Sequence, residues 1–206
     1  MVARLEQRTT GARTVLDDSV RDLVDDLDAG YATFVRAHAD AVYCTALRLS
    51  RSAAEADDVA QETFVRAYRS LRRFDAERLA TLEPRPWLLT ITLNLWRNRL
   101  RSASRRPAVA GPPEGDPPDP RPGPEDAAAR SESTRALVAL LARLPERHRV
   151  PVVLHHVVGL SYPEVATVLA CPVGTAKANA ARGLEQLRRL AAEDGPGPAT
   201  TRKERP

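Results

Sequence analysis

Two rows of polar side chains at helical spacing carry most of the chemistry this sequence could do. Asn94, Asn98, Arg101 and Arg105 recur at i, i+4, i+7 and i+11, and Thr175, Asn179, Arg182, Gln186 and Arg189 continue the same rhythm over four turns. Each set therefore lines one edge of a helix. Arginine neutralises phosphate and asparagine can hydrogen-bond to base edges, so the chemistry suggested is nucleic-acid recognition. Covalent chemistry has little to work with. His155 and His156 are adjacent, and on a helix point about 100° apart, so they cannot make an i, i+4 metal pair. Cys44 and Cys171 stand alone, with no CxxC and no second pair, which argues against a disulfide framework and a thiolate zinc site. No positioned set of nucleophile, base and metal emerges. The expectation is a protein that is not an enzyme, with no catalytic residue, no metal, no cofactor and no small-molecule substrate.

The elements that would hold these rows are helical. Aromatic residues make up only 4% of the 206, so a core must be assembled from Leu, Val and Ala, which favours helices over sheets. Tyr31, Phe34, Val35, His38, Val42, Ala46 and Leu49 mark the inner face of one helix. Ala56, Val59, Ala60, Phe64, Ala67 and Leu71 mark a second. Glu55, Asp57, Asp58 and Glu62 crowd the start of that second helix, where its dipole favours anions. After a break at FDAERLATLEPRP, Leu89, Leu93, Trp96 and Leu100 give an apolar stripe to a third helix over about Trp87 to Arg106. Further on, Pro145 suits a first helical position, Gly159 a stop, and Pro151 an interruption or bend. Ser161 and Glu164 form a capping box for a short helix to about Ala170. The sequence CPVG then turns into a last helix that buries Ala176, Ala180, Leu184 and Leu187 and exposes the second polar row, a helix-turn-helix arrangement able to enter a major groove.

Eight of the 17 prolines fall between Pro107 and Pro124, a stretch that can be neither helix nor sheet interior. The expected division is an N-terminal extension, partly disordered (1–30), a helical domain (31–106), a Pro-rich linker (107–130), a helix-turn-helix domain (131–192) and a disordered tail (193–206). Charge follows the same division. The formal net charge is +4, but residues 66–106 carry +8 and residues 136–206 carry +4, separated by −3 over 107–135. Two basic blocks split by an acidic spacer suit two contacts on one long polyanion. No stretch has the length and apolarity of a signal peptide or membrane span, so a cytoplasmic location is expected.

With these motifs in order, the chain becomes recognisable. HADAVYCTALRLSRSAAEADDVAQETFVRAYRSLRRFD followed by PWLLTITLNLWRNRLR resembles region 2 of the extracytoplasmic-function sigma factors of the sigma-70 family. LARLPERHRVPVVLHHVVGLSYPEVATVLACPVGTAKANAARGLEQLRRL resembles their region 4. The resemblance covers roughly residues 31–106 and 134–191. It implies an all-α chain of two small helical domains, a region 2-like bundle and a region 4-like helix-turn-helix, joined by the Pro-rich linker. The function it implies is an alternative sigma factor that binds core RNA polymerase, recognises promoter DNA and promotes transcription initiation. The competing reading is a stand-alone helix-turn-helix transcription regulator.

By the same resemblance, Asp57, Asp58, Gln61 and Glu62 would meet core polymerase. Asn94, Arg97, Asn98, Arg101 and Arg105 would contact the minus-ten element, with Phe74 to Pro86 the family's base-holding loop. Gly174, Thr175, Lys177, Asn179 and Arg182 would contact the minus-thirty-five element. The chain departs from the family at Ala178 and Asn179, where a Ser and an Arg are usual; losing that Arg removes a contact for which discrimination of about 1–3 kcal/mol is typical. An anti-sigma factor, in many relatives membrane-bound, is a further expected partner.

Overall fold

The structure, a computed structural model, describes residues 19–105 and 134–194. The Pro-rich connector and the tail from Gly195 lie outside the described residues.

Helix α1, described over 19–25, turns at Asp26 into α2 (Leu27–Ser50). The Asp26 carboxylate accepts hydrogen bonds from the Asp28 and Ala29 amides at 2.9 and 3.1 Å, satisfying donors that a helix start leaves orphaned. The corner is tight at Gly30, where an added Cβ would stand 2.5 Å from the Asp22 carbonyl oxygen. Ordered helix thus begins well before Tyr31, and Leu23 is buried with Phe34 and Leu71. Ser52 caps α3 (Ala53–Leu71), and Asp75 caps a single turn, α4 (Ala76–Ala80), inside the segment read as a break.

Helix α5 (Pro84–Arg105) starts three residues ahead of the expected Trp87. Pro84 and Pro86 occupy its first turn, where amide hydrogens have no intrahelical partner and proline costs little. It is the central element. Leu88 enters the cluster around Phe34, Leu95 the one around Ala46 and Val59, and Leu89, Leu93 and Trp96 a third. Leu100, expected on the apolar stripe, is instead half exposed. Buried Thr63 and Thr92 meet at 3.3 Å, and each hydroxyl also donates to the carbonyl four residues back, so neither is left unsatisfied.

The second unit comprises α6 (134–142), α7 (Glu146–Val152), a π-helical turn (Val153–Val157), α8 (Tyr162–Leu169) and α9 (Val173–Asp194). Pro145 is the N-cap rather than the first helical residue. Pro151 lies inside α7, where it has no N–H to return to Arg147. The helix loosens directly after it, and the Val158 amide reaches five residues back to the Val153 carbonyl at 3.0 Å. Gly159 ends the run with φ +84°. The Ser161–Glu164 capping box forms in both directions. Helix α9 continues to Asp194, two residues beyond the expected domain end.

The fold is all-α, two helical units with no strand among the described residues, and the units share a core. Leu49, Leu89, Leu93 and Trp96 of the first are buried in one cluster with Leu141, Val153 and Leu160 of the second.

Candidate nucleic-acid interface

Asp57, Asp58 and Gln61 face solvent on the first half of α3, with Glu62 half-exposed beside them. They follow the buried row Ala56, Val59 and Thr63 at helical offset, so one acidic edge is presented outward. Two of the four carry ion pairs within the unit. Asp58 lies 3.3 Å from Arg99 of α5, and Glu62 2.7 Å from Arg66. The Arg66 hydrogen bond holds the Glu62 carboxyl below its ordinary value. These exposed pairs are weak enough to exchange for a partner's cations.

On α5, Asn94, Asn98 and Arg101 are exposed along one edge, as the spacing predicted. Arg101 donates to the Asn98 side-chain oxygen at 2.7 Å, which fixes the two relative to each other. Arg105 closes the helix on the same register; its side chain lies outside the described atoms. Arg97 differs. One step round the helix from Asn98, it turns toward the second unit and its Nε lies 2.7 Å from a Glu146 carboxylate oxygen.

In the second unit Gly174, Thr175, Lys177 and Arg182 are exposed at the start and outer edge of α9, while Asn179 is half-buried. Pro172 sets the helix start, its carbonyl accepting from the Thr175 and Ala176 amides at 2.9 and 3.1 Å. A Cβ on Gly174 would meet nothing within 4 Å, so no contact among the described residues demands glycine there. A close external approach, such as a phosphate against the helix start, suits the position. Ala176 and Ala180 are fully buried, as expected, but Leu184 and Leu187 are only partly so. Gln186, expected on the exposed edge, is half-buried with its oxygen 3.4 Å from the His148 ring.

Trp87 and His155 pack within the chain, while His156 is exposed. Trp87 lies 5.7 Å from Phe74 between ring centroids, at the edge of the Phe34 cluster. His155 stacks on Tyr162 at 3.9 Å and donates through Nδ1 to the Leu160 carbonyl at 2.7 Å. Among the described residues no His, Cys, Asp and Glu cluster could hold a metal ion, and no helix is long and apolar enough to cross a membrane.

Sequence reasoning missed three polar contacts between the units. Besides Arg97 with Glu146, Arg85 donates to the Val158 carbonyl, and the Arg149 guanidinium lies over the Trp96 ring at 5.2 Å. A signal for them existed. Leu88, Leu89, Leu93, Leu95 and Trp96 surround α5 on more than one side, which a helix covered by a single neighbour does not need.

Comparison with known proteins gives these edges a context. The family model for Sigma-70 region 2 matches residues 34–106, and that for Sigma-70, region 4 matches residues 134–187. The chain is 34% identical over 181 residues to the ECF RNA polymerase sigma factor SigW of Bacillus subtilis, covering 80% of this chain and 89% of that one. It is 39% identical over 155 residues to the ECF RNA polymerase sigma factor SigE of Mycolicibacterium smegmatis, covering 75% of this chain but only 58% of the relative's length. Among solved structures, CnrH in complex with the cytosolic domain of CnrY matches with a TM-score of 0.65 and 26% identity, over 87% of this chain and 99% of that one. The sigma factor RpoE of Bartonella quintana, in complex with the anti-sigma factor NepR, shares the fold at a TM-score of 0.64 and 21% identity, over 80% of this chain and 98% of that one.

Proposed function

This chain belongs to the sigma-70 family, in its extracytoplasmic-function branch, and on that premise we propose that it is an alternative sigma factor. It binds core RNA polymerase, recognises the minus-ten and minus-thirty-five promoter elements, and promotes transcription initiation. The observation that carries this is the presence, in one chain and in family order, of two separate exposed polar edges on helices of regions 2 and 4.

Asp57, Asp58, Gln61 and Glu62 serve core binding, where an acidic helix start complements a basic surface. Asn94, Asn98, Arg101 and Arg105 meet the minus-ten element, joined by Arg97 once it is released from Glu146. Gly174, Thr175, Lys177 and Arg182 meet the minus-thirty-five element. Half-buried Asn179 contributes less there than the Arg usual in the family, so upstream binding leans on Lys177 and Arg182. The two helical units act as separate promoter readers joined by the Pro-rich linker. The protein works in the cytoplasm, does no covalent chemistry of its own, and has an anti-sigma factor as its natural inhibitor, the kind of partner seen with RpoE of Bartonella quintana. A stand-alone regulator would bind an operator through residues 134–191 and use the N-terminal domain as sensor or dimeriser, a role that the match of residues 34–106 to Sigma-70 region 2 does not favour.

Reconstitution with bacterial core polymerase and genome-wide run-off transcription tests the reading. The expected result is a set of new start sites sharing two spaced elements. Tight operator binding by the chain alone, with no core binding and no new starts, would establish the stand-alone regulator instead.

A further inference from the structure

Arginines from both units gather where α2 meets α7. Arg48 lies seven residues after Ala41, hence on the same edge of α2, and next to Leu49; Ala41 and Leu49 both pack into the cluster that holds the core of the second unit. Arg51 follows at the end of the helix, in left-handed backbone at φ 66°, its amide bonded to the Leu47 carbonyl at 3.0 Å and its side chain exposed. From the other unit, the Arg149 guanidinium lies over the Trp96 ring at 5.2 Å. Burial lowers the pKa of that guanidinium; the charge of Glu146 opposes the shift and the charge of Arg51 adds to it, so Arg51 and Arg149 stand within each other's field. Glu146 is already engaged, its carboxylate 2.7 Å from Arg97.

Two of these side chains hold a donor with nothing to receive it. The Nε atoms of Arg48 and Arg149 are buried and have no hydrogen-bond partner among the described residues. Arg48 spends a terminal nitrogen on the Cys44 carbonyl at 3.1 Å, which leaves its Nε unanswered. Buried donors in folded proteins are nearly always paired, so orphans of this kind mark the place of a water or an ion. Cations drawn together repel until an anion enters between them. The planar fork of arginine suits the oxygens of phosphate, which it grips two at a time. Lys177 and Arg182 stand exposed, where a duplex can lie across them, whereas Arg48 and Arg149 are half-buried. That difference favours a small anion over a DNA backbone.

We propose that Arg48, Arg51 and Arg149 form a binding site for a small diphosphate-bearing anion, either inorganic pyrophosphate or a nucleoside diphosphate, at the junction of α2 and α7. A single phosphate, with a charge of about −1.5 to −2 near neutral pH, leaves three guanidinium groups under-compensated, and a diphosphate supplies both the charge and the acceptors. The site is separate from the edges assigned to core polymerase and to the promoter. It does not rest on the sigma-factor reading, and its test reads binding alone.

Isothermal titration calorimetry on the full chain, with inorganic pyrophosphate as the probe, tests the site. Saturable binding at one site per chain is expected. Arg149→Gln and Arg48→Gln should each weaken it about tenfold or more, the usual effect of losing a charge-assisted contact. Arg51→Gln, a change to an exposed side chain, should weaken it about two- to fivefold, which keeps the site testable if a half-buried variant does not fold. Arg36→Gln, at an exposed arginine about 18 Å before Arg48 along α2, should change nothing. A nucleoside diphosphate that competes with pyrophosphate and binds more tightly identifies a nucleotide as the occupant; one that competes without gain identifies the inorganic anion. Either result supports the site. Heats that never saturate, or an equal loss in Arg36→Gln and Arg51→Gln, mean an adventitious ion only and overturn it. Pyrophosphate binding unchanged in Arg51→Gln overturns it as well, and duplex DNA bound more weakly by that same variant would then assign these arginines to the DNA backbone.

Discussion

His38 shows how one residue on an apolar face can set the pH range of the fold. It is 1% exposed, its ring sits edge-on to Phe34 at 4.7 Å between centroids, and its Nε2 lies 3.5 Å from the Ser19 hydroxyl. Nδ1 has no hydrogen-bond partner among the described residues. Burial first, and the charge of Arg85 second, push the imidazole down from 6.5 to about 4. Between those two values the unfolded chain takes up a proton that the folded chain refuses, so folding stability rises with pH across the window. The contribution is complete above about pH 6.5 and is lost as pH falls toward 4, about 3 kcal/mol in all at 1.36 kcal/mol per unit. Urea titrations at pH 7 and pH 4.5 should show the midpoint falling, and His38→Gln should flatten that difference. An unaltered pH dependence in the variant would assign the slope to other groups. The sequence placed His38 on the inner face of its helix by spacing alone. It gave no sign of Arg85, 47 residues away in sequence and brought close only by the fold.

At the scale of elements, periodicity made most helices legible because an apolar face at 3.6-residue spacing is a local property. The three-residue error at the start of α5 came from treating Pro84 and Pro86 as breakers when they fill a first turn. Leu100 was misplaced for a different reason: a stripe says which side of a helix is apolar, not which of its residues a neighbour covers. Gly183 was invisible for the same reason. An added Cβ there would lie 2.6 Å from Val152 Cγ2 and 2.9 Å from the His148 carbonyl oxygen, so α9 and α7 touch through this glycine. Alanine gains about 1 kcal/mol in helix propensity over glycine, but overpacking a tight contact costs about 1–3 kcal/mol. Against backbone oxygen the cost prevails, and Gly183→Ala should lower stability. Gly174→Ala, with nothing within 4 Å, should raise it by about 0.5–1 kcal/mol. Chemical denaturation of the two variants beside wild type measures both signs, and a Gly183→Ala protein as stable as Gly174→Ala would mean that the α7–α9 contact yields easily.

For the whole molecule the decisive quantity is where the charge lies, since +4 overall conceals +8 over residues 66–106 and +4 over residues 136–206. On the proposed function, two basic blocks on one chain should divide the electrostatic part of DNA binding between two places on the duplex. Each phosphate neutralised releases counterions and adds about 0.9 to the slope of log affinity against log salt. Lys177, exposed at the start of α9, and Arg101, exposed on α5 beside Asn98, belong to different surfaces and should act on different DNA. In the polymerase complex, Lys177→Ala should reduce the salt slope by about 1 on DNA carrying the upstream element and leave it unchanged on DNA carrying only the downstream one. Arg101→Ala should do the reverse. Binding titrations across a series of salt concentrations, with each element deleted in turn, read this directly. A change that ignored which element was present would mean that the two basic blocks form one continuous surface, as they could only if the units stayed docked on the promoter.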